Sequence, residues 1–164
     1  MKEVAMIKSP LRELLRYAVS NCTTDSREMK KYVLGFMFNE GEDLVALIRK
    51  KKPKWQEGCL NGVGGKIDGA EIPKEAMIRE FKEETGFYQN EWRQFAQMVG
   101  NDFSVFCFMC KGPVDVLISQ EAEQIEIHEV NDLLCGNQQM INNLRWLVPM
   151  ALDKDKIYSS IQYL

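Results

Sequence analysis

Apolar positions along the chain change their period several times, and each change predicts an element. Leu11, Leu14, Leu15, Ala18 and Val19, following Ser9-Pro10, recur at helical spacing, and the polar stretch from Asn21 to Lys30 reads as a connecting loop. Residues 1–30 are thus an N-terminal helix and linker ahead of a domain over 31–164: a helix docked on the core, a dimer contact or a lid. Lys31 to Phe38 and Leu44 to Arg49 are nearly continuous apolar runs around the turn-forming Asn39-Glu40-Gly41-Glu42, which predicts a hairpin. Strands apolar on both faces belong at the centre of a sheet with helices on either side. Trp92 to Val99 and Phe103 to Cys110, joined by Gly100-Asn101-Asp102, predict a second strand pair. A strand is expected over Ile125 to His128, and an edge strand within Lys156 to Leu164. Ile141, Leu144, Leu147 and Val148 give a helical pattern across Asn137 to Leu152 that ends or kinks at Pro149.

Between the two strand pairs lies a helix with clear ends. Pro73 suits a first helical position, where a missing N–H costs nothing, and Gly86 suits a left-handed C-cap. Met77, Ile78, Phe81 and Thr85 share a buried stripe about 100° wide. Glu80, Glu83 and Glu84 border that stripe on one face. Their mutual repulsion near a helix C-terminus is unfavourable. Arg79 can reach Glu83 or Glu75, whereas Glu80 and Glu84 have no basic partner at helical spacing. Two readings stand at this point: a solvated acidic face, or carboxylates balanced by a hard divalent cation bridging them to a polyphosphate.

Composition narrows the setting. The chain has 164 residues, long enough for one domain with a real core, and a net charge of −3 from 21 basic and 24 acidic residues. That balance argues against bulk electrostatic binding of nucleic acid. The five cysteines are Cys22, Cys59, Cys107, Cys110 and Cys135, an odd number without a disulfide-dense pattern. With no leader-like opening and no apolar run long enough to span a bilayer, a cytoplasmic setting with free thiols and no membrane partner is expected. Cys107 and Cys110 lie in a strand that points them to opposite faces, and one histidine makes a zinc site improbable on composition.

Gly65, five residues, Glu71, seven residues, then Arg79-Glu80-Phe81-Lys82-Glu83-Glu84-Thr85-Gly86-Phe87 resembles the Nudix box at all nine constrained positions over 23 residues. The resemblance implies an α/β/α sandwich around a mixed sheet, and Mg²⁺- or Mn²⁺-dependent hydrolysis of a nucleoside diphosphate linked to a further group. It implies metal ligation by Glu80, Glu83, Glu84, the Gly64 carbonyl and an outer acid, Glu121 or its neighbour Glu123. The general base is Glu80 or that outer acid. Arg79 orients Glu80, Glu71 ties the loop to the helix, and Gly65 and Gly86 are structural.

The substrate side rests on the segments flanking the box. The Arg49 to Trp55 stretch is lysine-rich and leads into the box, so Lys51 is a candidate phosphate contact and Trp55 a candidate base-stacking residue. Leu60-Asn61-Gly62-Val63-Gly64-Gly65-Lys66 resembles the segment that reads the purine in enzymes cleaving oxidised purine nucleoside triphosphates, with Lys66 on phosphate; Leu60 departs from the usual aromatic. Asn61 is either that base reader or a turn residue ahead of Gly62. Asn142 and Asn143 stand where those enzymes present paired acids to the base, or are N-caps. His128 reads as a strand residue. The expected substrate is a nucleoside triphosphate such as an oxidised purine. ADP-ribose, a dinucleotide polyphosphate or a capped RNA 5′ end is the alternative, and a catalytically weak nucleotide-binding module is the reading from another class. Oligomeric state is not legible.

Overall fold

The computed structural model describes residues 29–163; the helix expected near the N-terminus and most of its expected linker fall outside these. Seven strands form one mixed sheet: β1 (Lys30–Phe38), β2 (Leu44–Arg49), β3 (Leu60–Asn61), β4 (Arg93–Val99), β5 (Phe103–Lys111), β6 (Gln124–Glu129) and β7 (Ser159–Gln162). The order is β3-β2-β1-β5-β4-β7, with β6 paired to β2. β1 runs parallel to β5 and β4 parallel to β7; the other pairs are antiparallel. The predicted hairpin is β1–β2. The Asn39 side-chain oxygen closes its turn by accepting from the N–H groups of Asp43 and Leu44 at 3.1 and 3.0 Å.

How β2 divides its partners positions the site. One edge pairs with β6 along its whole length. The other begins against β1 at Val45 and Ala46 and finishes against β3 at Ile48 and Arg49. β1 and β2 therefore diverge, and the glycine-rich segment fills the gap through bridges Gly35–Val63 and Tyr32–Lys66. Val33 and Gly35 donate to the carbonyls of Gly65 and Val63 at 2.9 and 2.7 Å. On extended backbone this leaves the intervening Gly64 carbonyl directed away from β1. A side chain on Gly64 would collide with the Val33 carbonyl, so glycine is required there.

Helices cover both faces, as strands apolar on both sides demand. On one side α1 (Pro73–Thr85) buries Met77 and Phe81 against Val33, Met37, Ala46 and Ile48. On the other, α2 (Val130–Cys135) and α3 (Leu144–Ala151) pack Leu133, Leu144, Leu147 and Val148 on Phe36, Phe38, Leu47 and Phe95. This is the expected α/β/α sandwich. Cys107 and Cys110 fall in opposite layers, and burial pushes both thiols up, Cys107 to about 12.

Three details differ from the sequence reading. The short α2 has no counterpart in it. The last helix begins only at Leu144, not Asn137, and runs two residues past Pro149 to Ala151, so the proline does not itself end it. Asn143 occupies the N-cap position without a side-chain capping bond, so that role is not its own.

Candidate active site

α1 begins at Pro73, where the Glu75 carboxylate accepts from the Ile72 N–H at 3.4 Å, and ends at Gly86 with φ of 70° and its N–H on the Lys82 carbonyl at 2.9 Å. These ends fix the rotation of the helix and hence the direction of its acids. Arg79 is the hub. Its guanidinium donates twice to Glu71, at 3.0 Å each, once to the Lys66 carbonyl at 3.0 Å, to Glu80 at 2.8 Å and to Glu83 at 3.1 Å. One side chain thus ties the loop after the glycines to the acidic face of the helix. Glu80 does have a basic partner, contrary to the spacing argument: the neighbouring Arg79 folds back to reach it. Hydrogen bonding to Arg79 holds the Glu71 carboxyl below the ordinary range, whereas burial raises that of Glu80 despite Arg79. The Glu80 carboxylate also occupies the space a Cβ would need on Gly65, so that glycine and that glutamate are one fitted unit.

Glu84 is different. Its Oε2 is buried with no hydrogen-bond partner, and its carboxyl is pushed up to about 8, chiefly by burial, with Glu123, Glu80 and Glu121 adding repulsion and Lys50 opposing them. The segment before β6 docks on this end of the helix, Gln120 donating to the Glu84 carbonyl at 2.9 Å and Ile118 to that of Thr85 at 3.3 Å. Glu121 is exposed, and Glu123 is buried and paired with Lys50 at 2.6 Å. Burial pushes the Glu123 carboxyl up, but Lys50 and the N–H groups of Lys51 and Lys52 outweigh it and hold it low. Among the described residues, no three His, Cys, Asp or Glu side chains stand close enough together to enclose an ion as they lie; Glu80 and Glu83 turn toward Arg79. In kind the donors fit a hard divalent cation, all being carboxylate or carbonyl oxygens, and the partnerless Glu84 oxygen is the atom such an ion would satisfy.

Beside the acids lies a cleft of about 580 Å³ whose lining joins Trp55, Gln56 and Asn61 to Gly64, Gly65 and Lys66, with Asn143 also in its wall. Trp55, in a single 3₁₀ turn over Lys54–Gln56, is 71% exposed, an unusual state for an indole with no packing role. Asn61 Oδ1 accepts from the Gly62 N–H at 2.9 Å, as a turn residue does, while its amide nitrogen reaches Gln56 at 3.4 Å inside the cleft. Asn143 Oδ1 is buried without a partner. Lys51 and Asn142 are not among the lining residues; of the lysines at 50, 51, 52 and 54, it is Lys50 that lines the cleft. His128 sits within β6 against Glu126 at 3.1 Å. Sequence reasoning missed Tyr32, Gln56, Met98 and Phe103 in the wall. Nothing in an evenly apolar strand marks Tyr32, and within a lysine run nothing distinguishes Lys50 from Lys51.

A sequence model of the NUDIX domain matches residues 29–160. The chain belongs to the Nudix family. Its box supplies α1, and the loop Arg79 ties to it, in the arrangement just described. This Nudix chain is 26% identical over 106 residues to a putative nudix hydrolase 1 of Caenorhabditis elegans, a match covering 62% of the chain and 29% of that much longer relative. In fold it is similar to the mutator MutT protein of Bacillus halodurans, with a TM-score of 0.65 at 19% identity over 82% of this chain and 90% of the other. It is equally similar to the NUDIX domain of Shewanella oneidensis NrtR, solved in complex with ADP ribose, with a TM-score of 0.65 at 15% identity over 88% and 97%. Among the described residues no helix is long and apolar enough to cross a membrane.

Proposed function

We propose that this Nudix chain hydrolyses a diphosphate linkage in a nucleoside triphosphate, with a purine such as an oxidised guanine as the base. The observation that carries this reading is the single cleft in which Trp55, Asn61 and Asn143 are continuous with Gly64, Gly65 and Lys66, with the Glu80 carboxylate packed against Gly65. Trp55 stacks on the base, and the amides of Asn61 and Asn143 meet its edge as donors and acceptors, where a carboxylate would only accept. Lys66 meets the phosphates. Glu80, Glu83, Glu84, the Gly64 carbonyl and Glu121 would hold Mg²⁺ or Mn²⁺, which when bound offsets phosphate charge and acidifies the attacking water. Glu80 or Glu121 takes the proton from that water, and Arg79 keeps Glu80 aimed. The setting is cytoplasmic, as free thiols suit.

A second groove favours a second reading. It shares Lys30, Lys66 and Asp102 with the cleft and adds Lys31, giving room beyond the phosphates for the further moiety of ADP-ribose, a dinucleotide polyphosphate or an RNA 5′ end. The deciding experiment is a Mg²⁺-dependent hydrolysis screen over nucleoside triphosphates, 8-oxo-dGTP, ADP-ribose, dinucleotide polyphosphates and capped RNA, with products resolved. A preference for 8-oxo-dGTP over dGTP that Asn61→Ala abolishes supports the first reading. Equal rates on the two, unchanged by that substitution, overturn it. Nucleotide binding without turnover of any substrate would leave a binding module.

A further inference from the structure

The loop that carries Trp55 has no core of its own, since its 3₁₀ turn buries nothing. It is held at its base. Lys50 and Gly58 close it, Lys50 donating to the Cys59 carbonyl at 2.9 Å and Gly58 to that of Lys50 at 2.8 Å. Arg49, paired with Glu126, adds a bond to the Gly58 carbonyl at 2.7 Å. The remaining anchor comes from 73 residues beyond Lys50 in the chain. Glu123 Oε2 accepts from the Lys50 ammonium at 2.6 Å, and Oε1 accepts from the Lys51 and Lys52 N–H groups at 2.8 and 3.4 Å.

Glu123 is 9% exposed and both its oxygens are engaged. It belongs to the same segment that hydrogen-bonds to the carbonyls of Glu84 and Thr85 at the end of α1. Six residues therefore link the acid-bearing helix to the loop over the base side of the cleft. A buried carboxylate whose lone pairs are spent on a lysine and two amides is built as a clamp, because breaking such a pair strands a charge. Glu121, exposed and without an ion pair among the described residues, is the member of this segment left free for chemistry.

We propose that Glu123 is a positioning residue: its carboxylate fixes the Lys50–Gln56 loop over the cleft and sets the distance between the base grip and the acids of α1. The assignment rests on the nucleotide-hydrolase reading for its kinetic signature but not for its structural one. Loosening the clamp frees Trp55, Gln56 and Lys50 together, so substrate binding suffers while the acids of α1 keep their places.

The test compares wild type with Glu123→Ala and Glu123→Gln. The glutamine variant retains an acceptor for the two N–H groups and serves if the alanine variant does not fold. Steady-state kinetics on the best substrate of the screen, Mn²⁺ affinity by calorimetry and the rate of tryptic cleavage after Lys51 and Lys54 are the readouts. The expected result for Glu123→Ala is a KM raised about tenfold with kcat within about threefold. Tryptic cleavage of the loop should be several-fold faster, Mn²⁺ affinity unchanged, and Glu123→Gln intermediate throughout. A kcat lowered about 100-fold together with lost Mn²⁺ affinity, at unchanged KM and tryptic rate, would make Glu123 a ligand or base and overturn the proposal. Were wild type to turn over no substrate, the hydrolase reading would fail separately. The tryptic rate would still decide on the clamp: faster cleavage supports it and an unchanged rate refutes it.

Discussion

Near neutral pH the Glu84 carboxyl has two ways to avoid standing as an unpaired buried anion: it takes up a proton, or it gains a cation. Its folded-state pKa of about 8 lies above the ordinary value of 4.5, so in the metal-free protein the group costs stability progressively as pH rises from 4.5 to about 8. Glu84→Gln removes that cost. In chelator, the variant should be more stable than wild type at pH 8, by an amount on the order of 4 kcal/mol at most, and equal to it near pH 4. With Mg²⁺ or Mn²⁺ added, wild type should gain melting temperature and the variant should not. Equal melting of the two proteins at both pH values would mean that Glu84 is not the strained group described here. The sequence showed that Glu84 lacked a partner at helical spacing; that its Oε2 is buried is a tertiary feature, which no local pattern records.

At the scale of elements, the unit to test is α1 with the loop it holds. Both its ends were legible because Pro73 and Gly86 act through their own backbones, independent of context. Its buried stripe was legible because Met77, Phe81 and Thr85 repeat at helical period. The short α2 was not, since six residues are too few to show a period, and the helix runs two residues past Pro149 before it stops. The Arg79 hub also escaped a spacing argument, as a residue next to Glu80 was not counted among its partners. Gly65→Ala puts a methyl where the Glu80 carboxylate lies, so it should lower kcat by at least about tenfold while leaving nucleotide affinity within a few-fold in a binding titration. Arg79→Lys keeps the charge but loses the two-pronged grip on Glu71 and the link to the Lys66 carbonyl. Thermal denaturation should show a loss of about 1–3 kcal/mol. A loss below about 0.5 kcal/mol would contradict the hub.

Taken whole, the molecule uses its sheet to bring together segments far apart in sequence. The split pairing of β2 admits the glycine loop beside β1, and β6, on the outer edge of β2, delivers Glu121 and Glu123 to the end of α1. The nearly continuous apolar runs foretold the central strands and the two covered faces, though not the two-residue β3. They did not foretell which lysine of 50–54 enters the cleft, because that depends on the Glu123 clamp, nor that Tyr32 and Phe103 join its wall. The lysines at 30, 31 and 66 around the second groove make salt dependence informative. An RNA or dinucleotide substrate reaching into it should lose affinity steeply between about 50 and 200 mM salt. A mononucleotide confined to the cleft should lose little. The most direct measurement of the central claim is product-resolved hydrolysis of the nucleotide panel by wild type and Glu84→Gln, each with Mg²⁺ and with chelator. The account predicts cleavage of a phosphoanhydride bond by wild type with Mg²⁺ alone, reduced at least about 100-fold in the variant. Equal turnover by the two proteins, or turnover that persists in chelator, would contradict it.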